Sequence, residues 1–420
     1  MMMDEQKDNT VKSSILGINN LQYVLQPDLS VAVSRCMVKQ FPQQSKHVPR
    51  DSMIFTLNSG SNYLDLKESY LSVDVKCTSV SADGKTTTSA TFGAGSACNL
   101  FNRLTISSRS GQIIERIDRA NQLASIRQYY ERSPSWATGP GSAMDIPTTE
   151  VWGGGVTRRF VIPLSMLSVF ADTCDQMIPA QLASGLRFEL LMEDAQVALK
   201  AASATDVAGY EVTAASLNLS SYILSDVVLR TINESSASSG LELVHTTIYS
   251  AIGQRSSTLL NTELGRAASR VLKCVYRERP LYTSPAQDNF VSPTWSDTYY
   301  VQESQTRLGS LFFPNTSLRG DSPYLMGPEL YAQALMAFGT YTQTRPESDV
   351  SELEFRTGKA IIAQSFERSN VLDLSGVPTS SSRIINLNAR FSDGSTRDSE
   401  FYLYYVQLLR IFSSNVTVEN

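Results

Sequence analysis

The chain repeats itself. Residues 158–193 read RRFVIPLSMLSVFADTCDQMIPAQLASGLRFELLME, an apolar strand-like run, a loop carrying Ile-Pro, and then alternation at Leu186, Phe188, Leu190 and Met192. Residues 359–391 read KAIIAQSFERSNVLDLSGVPTSSSRIINLNARF, with Val-Pro in the loop and Ile385, Leu387, Ala389 and Phe391 alternating after it. Alternation at period two puts each set on one face of a strand. A chain of 420 residues is also too long for one ordinary core. Duplication therefore narrows the fold to two copies of one unit.

Further landmarks fall in the same order. Arg103-Leu104 matches Arg307-Leu308 at an offset of 204, Phe160 matches Ile361 at 201, and Pro179 matches Pro378 at 199. Two segments carry helical spacing: 119–133, with Leu123, Ile126 and Tyr130 on one face, and 328–341, with Leu330, Ala334, Leu335 and Phe338. They correspond at 208. YILSDVVLRTI (222–232) is matched to YLYYVQLLRIF (402–412) at 180, the drop being assigned to a longer loop in the first half. The expected organisation is an N-terminal arm at 1–50, a first unit at 51–232, the Ser/Gly-rich linker NESSASSG at 233–240, and a second unit at 241–420.

Elsewhere short runs of Ser, Thr, β-branched and aromatic residues are divided by Gly, Pro, Asp and Asn, which reads as antiparallel strands. Such a unit suits an eight-stranded jelly roll, two packed sheets closed by Greek-key connections. The expected class is all-β: two tandem jelly-roll sandwiches, each with one short inserted helix.

Chemistry is scarce. The formal net charge is −5, the wrong sign for coating nucleic acid. Residues 1–50 alone lean positive, with Lys7, Lys12, Arg35, Lys39, Lys46 and Arg50 against Asp4, Glu5, Asp8 and Asp28. The five cysteines, at 36, 77, 98, 174 and 274, have no CxxC spacing and read as buried thiols in a reducing compartment. MMMDEQKDNT has no apolar signal core, and the uncharged run 160–171 is broken by Pro163 and too short for a bilayer. A soluble chain made inside a cell is expected, with sequons such as Asn315-Thr316-Ser317 unused.

The remaining motifs have plain readings. SADGKTTTS (81–89) holds Gly-Lys-Thr, but Ser79 stands where a phosphate loop needs glycine, and a strand-like tract follows; it reads as a hairpin turn. TGPGSA and WGGGV read as loops. His47 and His245 are the only histidines, without metal-ligand spacing or a nucleophile elbow. Asp172 and Asp175, on either side of Cys174, and likewise Glu193 and Asp194, read as solvated carboxylates at strand ends. Arg158-Arg159 and Arg277-Glu278-Arg279 read as salt-bridge partners within or across subunits, and Tyr402, Tyr404, Tyr405 and Phe412 as packing. No catalytic, cofactor-binding or metal-binding residue is assigned.

Several stretches carry a resemblance: SNYLDLKESYLSVDVK, CNLFNRLTISSRSGQIIERIDRANQLASI, TRLGSLFFPN, ELYAQALMAFG and the ending EFYLYYVQLLRIFSSNVTVEN. In their order the chain resembles the double jelly-roll major capsid proteins of icosahedral double-stranded DNA viruses, closest to those of virophages and polinton-like viruses. The resemblance implies a structural protein of the virion, assembled inside the host cell. Homotrimers of pseudo-hexagonal outline would tile the shell beside penton and minor capsid proteins. The arm would face inward, to a minor protein, a membrane or the genome, without sequence-specific nucleic-acid binding. The rivals are a tandem jelly-roll glycan-processing enzyme, with Asp65, Glu68 and Asp288 as candidate carboxylates, and a glycan-binding adhesin.

Overall fold

A computed structural model describes residues 32–58, 60–146, 151–238, 240–284, 286–287, 290, 295–296, 298–341, 350–367, 376–379, 384–412 and 416–419. The first half contains β1 (Ala32–Gln40), β2 (Ser52–Thr56), β3 (Tyr63–Cys77), β4 (Ala90–Phe92), β5 (Phe101–Ser107), β6 (Ile113–Asp118), β7 (Thr157–Pro163), β8 (Arg187–Met192), β9 (Leu199–Ala201) and β10 (Tyr210–Leu224). The second contains β11 (Leu241–Arg255), β12 (Leu259–Leu264), β13 (Ala268–Pro280), β14 (Val301–Leu308), β15 (Leu311–Arg319), β16 (Ile362–Ser365), β17 (Val377–Thr379), β18 (Ile385–Phe391), β19 (Arg397–Ile411) and β20 (Val416–Glu419). Three longer helices are α1 (Ala120–Tyr130), α2 (Asp226–Ser238) and α3 (Pro323–Ala337).

Each half is two facing antiparallel sheets. In the first they run β1-β10-β3-β7 and β2-β8-β5-β6; in the second, β11-β19-β13-β16 and β12-β18-β14-β15. Setting aside the short β4–β9 pair, β17 and β20, both halves follow the same path through eight strands: first, eighth, third, sixth in one sheet, and second, seventh, fourth, fifth in the other. That is the jelly roll, twice. α1 and α3 both lie between the fifth and sixth strands. The alternating sets do face the cores: Leu186, Phe188, Leu190 and Met192 are buried, as are Ile385, Leu387, Ala389 and Phe391. Phe92, Trp152 and Phe160 add an aromatic knot to the first core, with centroids 5.4–5.6 Å apart.

Four expectations are corrected. Residues 32–40, placed in the arm, form β1 and pair along β10. The strand was hidden because no residue in it is buried, so no period-two pattern marks it. Residues 222–232, read as a closing strand, end β10 and then enter α2, which runs on through most of the supposed linker. NESSASS lacks Gly and Pro, so a Ser-rich run continues a helix begun by Val228, Leu229 and Ile232, and Gly240, at φ 79°, follows its end. The true closing strands, β10 and β19, are both 15 residues long and stand 187 apart, starting at 210 and 397. The Arg103/Arg307 match is four residues out of register: Leu104 faces Leu190, whereas Ala389, the counterpart of Leu190, faces Ser304. A slip of four keeps every residue on its own face, so alternation cannot detect it.

α3 begins at Pro323 behind Ser322, five residues before the expected start, and holds Pro328 inside. TGPGSA, expected as loop, belongs to two short turns of helix, Pro134–Thr138 and Pro140–Met144.

Candidate functional site

The functional feature assembled from both halves is the seam where one sandwich lies on the other. α1, with small residues at Ala120, Ala124 and Ser125, is narrow enough to be enclosed, and every residue of it except Tyr129 is buried. Its terminal Tyr130 donates to the Lys359 carbonyl at 2.7 Å and stacks on Phe338 at 5.3 Å. In return Tyr402 of β19 donates to the Arg119 carbonyl at 3.0 Å, and Arg277 of β13 donates to Ser125 Oγ at 2.6 Å. The Asp118 N–H at the end of β6 donates to Ser250 Oγ of β11 at 3.0 Å. The helical turn Val169–Thr173 completes the contact. Thr173 exchanges two hydrogen bonds with the Thr246 backbone, and Phe170 meets the His245 ring edge-on at 4.6 Å.

At the centre lies a cluster of charges around a cavity of about 330 Å³. Arg127 of α1, 1% exposed, donates to Glu131 at 2.6 Å and to Asp172, which also accepts from Arg132 at 3.0 Å. Lys273, from the other sandwich, reaches Glu131 at 3.3 Å and lies 3.9 Å over the Phe338 ring and 4.5 Å over Tyr404. Burial alone would raise the Glu131 carboxyl, but Arg127 and Lys273 overcome it and hold it down to about 2. Burial likewise pulls Lys273 down, against Glu131. Next to this cluster, burial pushes Glu115 up to about 7 despite hydrogen bonds from Ser168 Oγ (2.5 Å) and the Phe170 N–H (2.9 Å). Burial also drives His245 down to about 4. Arg127, Arg132 and Lys273 are balanced by Glu131, Asp172 and Glu367 around the cavity. Such a set locks two surfaces in register; its charged groups are spent on each other.

The residues singled out from sequence fall into ordinary roles. Arg158 pairs with Asp145 and Arg159 with Asp74. Arg277 crosses the seam, whereas Glu278 binds Arg255 at 2.5 Å and Arg279 binds Glu400 at 3.0 Å inside the second half. Two carboxylates expected to be solvated are not: Asp172 is half-buried in the seam, and Glu193 is buried, accepting from Asn102 and Asn121, while Asp175 pairs with Lys67 and Asp194 with Arg50. Asp65 accepts the Lys67 and Glu68 N–H groups where β3 bulges against β10, and Glu68 is taken by Arg35 and Tyr222; Asp288 lies outside the described residues. His47 faces the Gln44 carbonyl at 3.1 Å. Tyr402 and Tyr404 serve the seam, Tyr405 accepts from Arg266 at 3.0 Å, and Phe412 packs beside Gly240.

The Gly-Lys-Thr tract is a hairpin: Val80 bridges Thr87, and Gly84, at φ 69°, donates to Ser81. All five cysteines are free; four are buried, with burial pushing Cys98 and Cys274 up to about 12, but Cys36 is exposed on β1. Among the described residues no cluster of His, Cys, Asp or Glu could hold a metal ion, and no helix is long and apolar enough to cross a membrane. The seam itself was missed in the sequence, because the packing of one sheet on a distant helix leaves no local period. The one available signal was Arg127, a charge on the apolar face of a helix.

These features define a tandem jelly-roll protein whose two sandwiches are fused through a polar, buried seam. No protein-family model and no curated protein sequence matches the chain. Solved structures do. A chain of the PBCV-1 virus capsid superposes with a TM-score of 0.62 at 11% identity, over 95% of this chain and 99% of that one. The Faustovirus major capsid protein gives 0.63 at 8%, over 93% of each. The mavirus major capsid protein gives 0.52 at 9%, over 95% and 92%. The fold is the double jelly roll seen in these viral capsid proteins, over 93–95% of the chain.

Proposed function

We propose that this chain is a major capsid protein of a double-stranded DNA virus, a structural component of the virion without catalytic residues. The observation that carries the reading is the pair of equivalent sandwiches in one chain, similar over 93–95% of its length to proteins described as virus capsid components. Three such chains present six near-equivalent sandwiches, so a threefold ring acquires a hexagonal outline that tiles a flat lattice. Each contact between neighbouring rings can then be weak, since many act together. Penton and minor capsid proteins would fill the remaining positions of an icosahedral shell.

The arm of this proposal shrinks to the residues before β1. Arg35, Lys46 and Arg50, which made the N-terminal region look basic, are paired with Glu68, Glu211 and Asp194 in the sandwich. Residues 1–31 keep Lys7 and Lys12 against Asp4, Glu5, Asp8 and Asp28. Their charge favours a protein partner over the genome or an anionic membrane. The glycan-processing reading loses support because Asp65 is committed to the bulge of β3 and Glu68 to an ion pair.

The test is the mass of the purified chain by light scattering, with negative-stain images of the same peak. A particle of about 140 kDa, three chains of 46.2 kDa, with a hexagonal outline is expected. A stable monomer at high concentration would overturn the capsomer.

A further inference from the structure

We infer that the cavity at the seam is a binding site for one small oxyanion of the phosphate class, held between the two sandwiches by groups from both. The site lies within a single chain, so the inference stands or falls apart from the capsid reading.

The charges of the cavity wall cancel, but its hydrogen-bond donors are left over. The acceptors of Glu131 and Asp172 are taken: Arg127 and Lys273 bind the two oxygens of Glu131, and Arg127 and Arg132 the two of Asp172. The donors are not used up. Tyr404 of β19 is buried, and its hydroxyl has no hydrogen-bond partner among the described residues. That hydroxyl points at the charge cluster: burial, and after it the Glu131 carboxylate, raise it well above its usual range, while Arg127 opposes them. Arg132 Nε, just past the end of α1, is buried without a partner as well. Lys273 of β13 spends one of its three N–H groups, on Glu131 at 3.3 Å.

A buried donor with nothing to donate to is a cost, and here such donors from both sandwiches line one cavity of about 330 Å³. What they need is acceptors. An amine or a metal cation would set positive charge against donors. A tetrahedral oxyanion presents lone pairs on every side and can serve Arg132, Lys273 and Tyr404 at once. Charge agrees with this. Glu367, the remaining carboxylate of the wall, is exposed at the mouth, where it is free to turn to solvent. The interior then sets three cations, Arg127, Arg132 and Lys273, against two carboxylates, Glu131 and Asp172. The volume admits a phosphate with part of its hydration. An anion so placed ties Arg132 of the first sandwich to Lys273 and Tyr404 of the second, and so tightens the seam.

The test is thermal unfolding of the full chain in inorganic phosphate, against sodium chloride of equal ionic strength, with calorimetric titration of the folded protein to count bound phosphate. The midpoint should rise and saturate in the low millimolar range, with one phosphate bound per chain. Tyr404→Phe removes only the idle hydroxyl. Without phosphate this variant should be no less stable than the wild type; its affinity for phosphate should fall about tenfold. A purely structural Tyr404 would give the reverse, a stability loss and an unchanged affinity. A nucleoside monophosphate serves as a second probe: if it binds, the site accepts a phosphate ester, and if it fails while phosphate binds, the ligand is the free anion. Either result keeps the site. A midpoint that climbs without saturating, equally in the wild type and Tyr404→Phe, is the general effect of excluded salts and would overturn the inference. So would a titration that finds no bound phosphate.

Discussion

Two carboxylates a few residues from the same seam have opposite electrostatics, and each gives a test. Glu131 is held below its ordinary range by Arg127 and Lys273, so the stability it contributes is present above pH 4.5 and is lost as pH falls towards 2. Glu115 is raised from 4.5 to about 7, so its contribution is full below pH 4.5 and is lost as pH rises through 7. By linkage that loss is at most about 3 kcal/mol. Glu115→Gln should therefore gain on the wild type as pH goes from 5 to 8, read as the difference between their urea midpoints; a constant difference across that range would refute it. His245 shifts the other way, losing stability as pH falls from 6.5 to about 4, but it is common to both proteins and cancels. Arg127→Met should cost about 1.5–3 kcal/mol, because the half-buried Glu131 and Asp172 lose their shared cation and are left with Lys273 and Arg132 alone. A loss below 1 kcal/mol would mean the cluster is solvated.

Among the elements, β1 decides where the folded chain begins. Removing residues 2–31 should leave thermal unfolding unchanged. Removing 2–45 strips β1 from β10 and should give a chain that aggregates on purification, since the pairing groups of β10 become a free edge. Equal solubility of the two truncations would contradict the strand. The same element shows why sequence reading succeeded in some places only. β8 and β18 were legible because one face is buried and the other wet, and α1 because its apolar residues recur at helical spacing. β1 has no buried face inside its own chain, so nothing in it alternates. α2 hid for another reason: serine is nearly neutral between helix and coil, and the Val-Val-Leu that starts it also suits a strand. The seam was legible least of all, since Lys273 and Glu131 are brought together only by topology.

At the scale of the molecule, the seam predicts cooperativity. Tyr402, Tyr404, Val275 and Arg277 of the second sandwich are buried beneath the first, so neither half keeps its native surface alone. Calorimetry of the whole chain should show one unfolding transition, and residues 241–420 expressed alone should be insoluble or should bind a dye that reports exposed apolar surface. Two well-separated transitions would show that the halves fold independently.

The fusion through α1 has a further consequence for a closed ring. A ring of six separate sandwiches would have six identical joints, and any change that weakened one would weaken all. Here every second joint lies within a chain and is held by the backbone as well as by its contacts. The joints alternate between permanent and reversible, so such a ring opens at three places and releases pieces that are still folded. In a shell of such rings the contacts between chains would be open to adjustment while the inner joint, held by Arg127, Glu131 and Lys273, stayed as it is.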